Sequence, residues 1–425
     1  MLKYLRGVAM AAVLLAPPAY AQSAAPEPSE IAGLSRERLA RLGAALQAAV
    51  ASGRIPGAVA LVARDGEIVF FEAIGFRDKA AGKSADANAP MARDAIFRIY
   101  SMTKPIASVA AMMLVEDGRM LLSDPVSKHL PELKGMKVAV EKPGPDGKPV
   151  LELVPALREM TIQDLLRHTA GLPYGSRGPS LARQAYLAAG LLDRNKSTAD
   201  MLAKLATLPL VHQPGTTWEY GISTDVLGAL IERVGGQPLD EFLAARILKP
   251  LGMSDTAFHV PEKNHGRIAE PLAADPDGGQ PIRLLPVKEP PRFFGAGGGM
   301  VSTAEDYRRF TQMLLNGGEY GGVRLLSPKT VEYMTSDHAE GIARTANYFP
   351  GPAYGFGLGF AVRTLAGVHD QAGSIGDYHW SGYASTYFWI DPKERLIGIF
   401  MTQAPNSIYH FASLMRTIVY GAVVR

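Results

Sequence analysis

Segments with strand character occur near both ends of the chain, and a long stretch of helical character separates them. Near the N-terminus, residues 58–76 contain two apolar runs joined by Arg-Asp-Gly-Glu, which is typical of a tight β-hairpin. Three more strand-like segments lie near the C-terminus, at residues 355–363, 383–391 and 395–403. An isolated hairpin is only marginally stable, so we expect strands from both ends to pair into one sheet.

Helical patterns frame this sheet and fill the middle of the chain. Leucines recur at helical spacing within residues 35–57, and an apolar helix is predicted over residues 407–424. Residues 119–285 are mostly helical in pattern, with a small strand pair indicated near 147–160. We therefore predict an α/β (α+β) fold, in which an antiparallel sheet is flanked by N- and C-terminal helices and carries an inserted, mostly helical lobe.

The pattern also divides the chain into two lobes. Residues 34–118 and 286–425 are predicted to form the α/β lobe, and residues 119–285 the mostly helical lobe. Together they make one catalytic domain, with a cleft between the lobes where a site is expected. Residues 22–33, rich in Ala, Pro and Ser, are expected to form a flexible leader.

The first 21 residues have the pattern of a secretory signal peptide. Lys3 and Arg6 precede an apolar run, and Ala-Tyr-Ala ends at Ala21, where cleavage is expected. A membrane anchor is the alternative, but the apolar run is short and stops at Pro17. We expect an exported protein, periplasmic or secreted, without a stable membrane anchor.

Composition excludes several classes of function. The 44 Lys and Arg nearly balance the 41 Asp and Glu, and no basic block occurs, so nucleic-acid binding has no support. The chain has no cysteine, which excludes disulfides and a thiol nucleophile. The nine histidines show no ligand spacing, and His-Glu-x-x-His is missing. The Gly-x-Ser-x-Gly motif of α/β-hydrolases is also missing. We expect no metal and no cofactor.

A serine and a lysine lie three residues apart in Ser-Met-Thr-Lys-Pro, residues 101–105. Residues i and i+3 share a helix face, so the Lys104 ammonium can reach Ser101 Oγ. The apolar helix that follows would bury this lysine and depress its pKa. The alternative is structural, because a serine that starts a helix is a common N-cap. The two interpretations stay open on this segment alone.

Two distant segments could supply the rest of a serine active site. Tyr220 precedes a helix and could act as a general base, with its pKa lowered by a facing lysine. Residues 378–391 could place the backbone N–H of Tyr383 beside that of Ser101 in an oxyanion hole. Gly382 would then let a substrate approach the backbone closely. The alternatives are a core aromatic residue and an ordinary core strand entered through a turn at 381–382.

Taken together, these segments resemble the serine hydrolases related to class C β-lactamases and D-alanyl-D-alanine peptidases, and more narrowly the family VIII carboxylesterases. The resemblance covers roughly residue 34 to the C-terminus. It rests on several long motifs in order: SMTKP, LLRHTAGLPYG, WEYGIS, PLGMSDTAF, GGGMVSTAEDYRRFTQMLLNGGEYGGVRLLS and HWSGYASTYFWIDP. The resemblance implies that Ser101 is the nucleophile and that Lys104 and Tyr220 together supply the general base. It leaves open which of the two residues accepts the proton.

Two positions depart from the lactamase pattern. Ile222 stands where lactamases have an asparagine that binds a substrate amide, and Trp380 replaces the lysine of Lys-Thr-Gly. The resemblance makes Ile222, Trp380, Ser381 and Gly382 substrate-binding residues. Loss of an amide donor and a cation from one cleft favours a neutral ester with a small acyl group.

The resemblance therefore implies a serine carboxylesterase that cleaves short-chain acyl esters through an acyl-enzyme on Ser101. Its expected partner is a small-molecule ester. A β-lactamase or D-amino-acid peptidase and an acyltransferase are alternatives on the same fold. A non-catalytic, penicillin-binding-like sensor is an alternative of another class.

Overall fold

The centre of the molecule is an eight-stranded antiparallel sheet. The computed structural model describes residues 29–79, 88–346 and 348–425. In chain order the strands of the sheet are β1 (Gly57–Arg64), β2 (Glu67–Asp78), β3 (Ala89–Pro90), β4 (Tyr354–Phe356), β5 (Ala361–Arg363), β6 (Tyr378–Gly382), β7 (Thr386–Asp391) and β8 (Leu396–Thr402). In space they run β4-β5-β6-β7-β8-β1-β2-β3, so the last strand pairs with the first. This confirms that both ends of the chain build one sheet.

The β1–β2 hairpin turns where the sequence predicted it. Asp65 and Gly66 both have positive φ angles, of 55° and 82°. A two-residue turn of this kind matches the twist of the strands, and Asp-Gly tolerates it with little strain. This local signal fixes the position of the hairpin that β8 then extends.

Helices cover both faces of the sheet. The longer helices are α1 (Arg36–Ala51), α2 (Thr103–Glu116), α3 (Ser223–Gly235), α4 (Ala304–Leu315) and α5 (Ile408–Ala422). Alternate residues of β1, such as Val62, pack with α1 and α5, while their neighbours, such as Leu61, pack with α2 and α4. Because both faces are covered, every residue of β1 is buried. The predicted flanking N- and C-terminal helices are confirmed.

Residues 119–285 contain mostly helical elements and one separate β-hairpin. The hairpin pairs Lys137–Pro143 with Pro149–Pro155, close to the predicted strand pair. The helical elements besides α3 are Val126–Lys128, Pro131–Leu133, Ile162–Leu166, Leu181–Ala189, Thr198–Leu205, Leu239–Leu243, Ala244–Leu248, Lys249–Leu251 and Glu262–Arg267. The boundaries of this lobe stay a prediction.

Short elements complete the described chain. A helix spans Pro328–Met334, and a single helical turn spans Tyr100–Met102. The remaining two-residue strands are Glu30–Ile31, Leu34–Ser35, Phe97–Arg98, Thr217–Trp218, Val301–Ser302, Glu319–Tyr320, Val323–Arg324 and Ala343–Arg344. Within the described ranges, no helix combines the length and apolar character needed to cross a bilayer.

Three local predictions were wrong or incomplete. Residues 355–363 form two paired strands rather than one, because Gly359, with φ of 101°, reverses the chain between β4 and β5. The segment 383–391 becomes a strand only at Thr386, because residues 378–382 are already β6 and the turn falls at 383–385. Glu30–Ile31, at the end of the predicted flexible leader, pair with a neighbouring strand. The signal peptide and residues 22–28 lie outside the described residues.

A buried ion network ties α5 to the sheet. Asp377 accepts a 2.6 Å hydrogen bond from Arg363 Nε, and Arg416 of α5 donates to both of its carboxylate oxygens at 3.0 and 3.1 Å. All three side chains are at most 2% exposed. Tyr354 and Tyr387 accept further hydrogen bonds from the two guanidinium groups. The single carboxylate therefore pairs with two guanidinium groups that would otherwise be buried without a counter-charge.

Asp377→Ala should destabilise the protein by about 3–5 kcal/mol, because it leaves two arginines buried without a counter-charge. The measurement is the free energy of unfolding in urea. Glu332→Ala is the control, since it removes an exposed carboxylate that pairs with Lys329 at 2.6 Å and should cost at most about 1 kcal/mol. Equal losses in the two variants would contradict the role given to Asp377.

Candidate active site

Ser101 lies in a tight helical turn immediately before α2. Tyr100, with φ of 43°, starts this turn, and α2 begins only at Thr103. The N-cap position of α2 is Met102, which makes no side-chain capping bond. The structural interpretation of Ser101 as a helix cap is therefore wrong. Ser101 is half-buried and borders a cleft whose lining also includes Tyr174, Tyr220 and Tyr383.

Lys104 is buried beneath Ser101, at 1% exposure. Its Nζ donates hydrogen bonds to Ser101 Oγ at 3.2 Å, to the Tyr174 hydroxyl at 3.1 Å and to the Gly297 carbonyl at 2.6 Å. An ammonium has three N–H donors, and these three acceptors use all of them. The side chain is thus held in one position relative to the serine.

The surroundings of Lys104 favour its charged form. Burial by itself lowers the pKa of Lys104, but the neighbouring Tyr174, Tyr220 and Asp225 together raise it above the ordinary lysine value. The predicted depression of this pKa is therefore wrong. Burial was the only influence visible in the sequence, and the nearby polar groups outweigh it. These neighbours therefore favour the protonated, ammonium form of Lys104.

Tyr220 also lies against this lysine. Lys104 Nζ is 4.7 Å from the centroid of the Tyr220 ring, and the ring is fixed by edge contacts with Phe349 at 4.8 Å and Trp380 at 5.5 Å. Both Tyr220 and Ser101 line the two cavities of the cleft. The structure therefore brings Ser101, Lys104 and Tyr220 together, as the sequence predicted for their positions.

Tyr174 is a member of this cluster that the sequence reasoning did not single out. Its hydroxyl accepts a hydrogen bond from Lys104 Nζ, and its ring lies 5.4 Å from that of Tyr220. Burial raises the pKa of Tyr174, which keeps its hydroxyl protonated. In the sequence, Tyr174 stands out only as part of the LLRHTAGLPYG motif, which supports the family resemblance but assigns no role to this tyrosine.

The end of β6 is packed directly against the turn that carries Ser101. A Cβ at Gly382 would come within 2.3 Å of the Ile99 carbonyl oxygen, so a side chain cannot be accommodated there. Thr386 Oγ1 donates to the same carbonyl at 3.2 Å. The Tyr383 ring contacts that of Tyr100, with centroids 5.5 Å apart. This close approach brings the end of β6 alongside the serine turn, and the place of the Tyr383 N–H in an oxyanion hole stays a prediction.

Ile222 and Trp380 do not take the positions expected of substrate contacts. They are 3% and 1% exposed, respectively, and neither lines the two cavities at Ser101. Trp380 packs behind Tyr220 and against Phe349, because alternate side chains of β6 point to opposite faces of the sheet. Trp380 supports the Tyr220 ring, and the prediction that Trp380 binds substrate is corrected. Ser381 and Gly382 do line the cleft.

Two cavities meet at Ser101. The first, of about 390 Å³, has a floor of glycines 297–299 and is bordered by aromatic and apolar side chains, including Tyr100, Leu192, Leu285 and Phe293. The second, of about 590 Å³, is bordered by Ser381, Gly382, Ala346, Phe349, Ile408 and Tyr409. A group bound at Ser101 can therefore extend in two directions. Among the described residues, no cluster of three or more His, Asp or Glu is placed to hold a metal ion.

Comparison with known proteins gives the family. The Beta-lactamase family profile matches residues 42–416. Protein Rv1367c of Mycobacterium tuberculosis is 37% identical over 83% of this chain and 86% of its own length. Esterase EstB of Burkholderia gladioli is 32% identical over 89% of this chain and 93% of its own. The chain therefore belongs to the β-lactamase family.

Solved structures agree with this assignment. The structure of EstCE1, described as a hydrolase with promiscuous acyltransferase activity, superposes with a TM-score of 0.73. It is 27% identical and aligns with 91% of this chain and 99% of its own. The predicted β-lactamase/transpeptidase-like fold is confirmed, and the fold and the esterase relatives identify the chain as a serine hydrolase.

The two tyrosines beside Lys104 should differ in their effect on the reactivity of Ser101. Tyr220→Phe should slow fluorophosphonate labelling of Ser101 about a hundredfold or more, the usual loss when a general base is removed. Tyr174→Phe should slow it only about tenfold, because it removes one hydrogen bond to a charged group. The measurement is the second-order labelling rate. A larger loss in Tyr174→Phe than in Tyr220→Phe would assign the base to Tyr174.

Proposed function

We propose that this protein is a carboxylesterase that cleaves short-chain acyl esters through an acyl-enzyme on Ser101. The observation that carries the proposal is the position of Ser101, where two cavities meet above a buried lysine ammonium that donates to its hydroxyl at 3.2 Å. The relationship to Esterase EstB supports an ester as the substrate. The cavity volumes suit a small molecule.

In the acylation step, Ser101 Oγ attacks the ester carbonyl carbon while its proton passes to the oxygen of Tyr220, acting as a phenolate. Lys104 cannot take this proton, because as an ammonium it has no free electron pair. Its role is to hold Ser101 and to stabilise the Tyr220 phenolate by its positive charge. Tyr220 then gives the proton to the alcohol oxygen as the carbon–oxygen bond breaks, and the alcohol leaves.

The backbone N–H groups of Ser101 and Tyr383 would stabilise the oxyanion of each tetrahedral intermediate. Neither amide takes part in the turn and loop hydrogen bonds of the described chain. The close packing of Gly382 on Ile99 supports a fixed distance between the two groups. In deacylation, Tyr220 takes a proton from water while the water oxygen attacks the acyl carbon. Tyr220 then returns this proton to Ser101 Oγ as the bond between Oγ and the acyl carbon breaks, which releases the acid and restores the Ser101 hydroxyl and the Tyr220 phenolate.

Acyl transfer to an alcohol is a second candidate. Two observations favour it: the similarity to EstCE1, a hydrolase described as having promiscuous acyltransferase activity, and the second cavity beside Ser101, which could hold an acceptor alcohol in place of water. Transfer is supported if added alcohol yields a new ester at the expense of free acid. It is excluded if only the acid forms.

Ser101→Ala should reduce hydrolysis of para-nitrophenyl acetate by at least about a thousandfold, because it removes the nucleophile of a covalent mechanism. The assay is release of nitrophenol, with mass spectrometry of the trapped acyl-enzyme on the wild type. Ser176→Ala, which changes another hydroxyl bordering the first cavity, is the control and should retain most of the activity. Near wild-type activity in Ser101→Ala would refute the assignment.

We also propose that the protein is exported, on the strength of Lys3, Arg6 and the apolar run that ends before Ala21. Mass spectrometry of the protein purified from its own cells should give Gln22 as the first residue. An uncleaved N-terminus in a cytoplasmic fraction would contradict export.

A further inference from the structure

Arg177 lies at the junction of the two cavities. Together with Ser101, Tyr220 and Tyr383, it lines both of them. Its guanidinium stacks on the rings of Tyr220, at 5.2 Å, and Phe349, at 5.3 Å. A positive charge therefore borders the space that any substrate of Ser101 must occupy.

The position of Arg177 is set by the same turn that positions Tyr174. The Arg177 N–H donates to the Tyr174 carbonyl at 3.2 Å, closing a four-residue turn. Gly175, inside the turn, packs so closely on the helix Leu181–Ala189 that a Cβ would lie 2.3 Å from the Leu187 nitrogen. Tyr174 is in turn fixed by Lys104. The guanidinium is thus part of the built site rather than of a free surface loop.

No carboxylate forms an ion pair with Arg177 within the described ranges, where its guanidinium lies over two aromatic rings. The one acidic residue that lines either cavity is Asp225. Asp225 is buried and accepts the Gly297 N–H at 3.0 Å, and burial raises the pKa of its carboxyl group. The Arg177 guanidinium is therefore available to bind an anionic group of a ligand in the cleft.

A second arginine with the same property lines the first cavity. Arg194 is half-buried and donates to the Phe258 carbonyl at 3.0 Å, and no acidic side chain pairs with it in the described part of the chain. Burial without a counter-charge lowers the pKa of Arg194. The first cavity thus carries two guanidinium groups in an otherwise mainly apolar and aromatic lining.

We propose that Arg177 and Arg194 bind a carboxylate of the substrate in the first cavity, so that the preferred substrates are esters carrying a second, anionic group. The inference rests on the proposed esterase function and concerns its substrate class. A guanidinium matches a carboxylate with paired, charge-assisted hydrogen bonds. The sequence predicted a neutral ester, because the lactamase lysine is missing. The two arginines instead favour an anionic ester, since they supply positive charge from other positions.

Matched substrates test this proposal and locate the anionic group. Mono-para-nitrophenyl adipate and its terminal amide differ by a carboxylate or a neutral amide on the acyl side of the ester. para-Acetoxybenzoate and para-acetoxybenzamide place it on the alcohol side. In the wild type, kcat/KM for the carboxylate of at least one pair should exceed that of its amide by about tenfold to a hundredfold, the value of a charge-assisted hydrogen bond. The pair that shows the preference identifies the side.

Variants then connect the preference to the two arginines. Arg177→Gln and Arg194→Gln should each reduce the carboxylate-to-amide ratio about tenfold, and Arg177→Lys should retain part of it, because it keeps the charge without the paired geometry. Arg119→Gln removes an equal charge from the exposed end of α2 and should leave the ratio unchanged. Arg194→Gln supplies an independent result if Arg177→Gln does not fold.

Two results overturn the proposal. One is a wild-type enzyme that has the same kcat/KM for the esters carrying a neutral amide group as for the esters carrying a carboxylate. The other is a carboxylate preference that survives in Arg177→Gln and Arg194→Gln. Both leave the esterase function intact, because the neutral amide esters are still cleaved. Failure to hydrolyse any of the four esters would instead count against the proposed function itself.

Discussion

The site is organised around one buried cation. The Lys104 ammonium donates its three hydrogen bonds to the nucleophile candidate Ser101, to the Tyr174 hydroxyl and to the Gly297 carbonyl. These acceptors come from a turn, from the inserted helical segment and from a glycine-rich loop, so a single charge joins three distant parts of the chain. An unpaired ammonium is costly to bury, and this cost enforces the arrangement of its partners.

The sheet places the other half of the site. Because β8 pairs with β1, the β6–β7 hairpin from the C-terminal part of the chain lies over the turn that precedes α2. Gly382 permits backbone contact with Ile99, and Tyr383 is thereby brought beside Ser101. The buried pairing of Asp377 with Arg416 holds α5 against this sheet. Stability and function therefore depend on the same closure of the chain ends.

Features with a local cause could be predicted from the sequence. Asp65-Gly66 specifies a hairpin turn, and Ser101 and Lys104 share a helix face by spacing alone. The meeting of Tyr220 with Lys104 could be inferred from a family motif. Tyr174 lies 70 residues from Lys104, and a generic sequence pattern does not mark such a contact.

Features that depend on packing could not be predicted in this way. Trp380 alternates with its neighbours on β6, but the face that receives its ring is decided by the aromatic side chains around Tyr220. The pKa of Lys104 is raised because polar neighbours outweigh burial, and only burial was evident from the apolar helix that follows it. Lys104 also donates to the Gly297 carbonyl, which is a backbone group. Because every residue has such a carbonyl, the identity of Gly297 does not predict this contact.

In the proposed mechanism Lys104 is a positioning cation and a tyrosine is the base. Nitrogen NMR of the Lys104 side chain in isotopically labelled protein tests it most directly. The account predicts an ammonium signal at neutral pH that persists as the pH is raised to 10.5, the ordinary lysine pKa, because the pKa of Lys104 is raised. A neutral amine at the pH where the enzyme is active would contradict the account and make Lys104 the base.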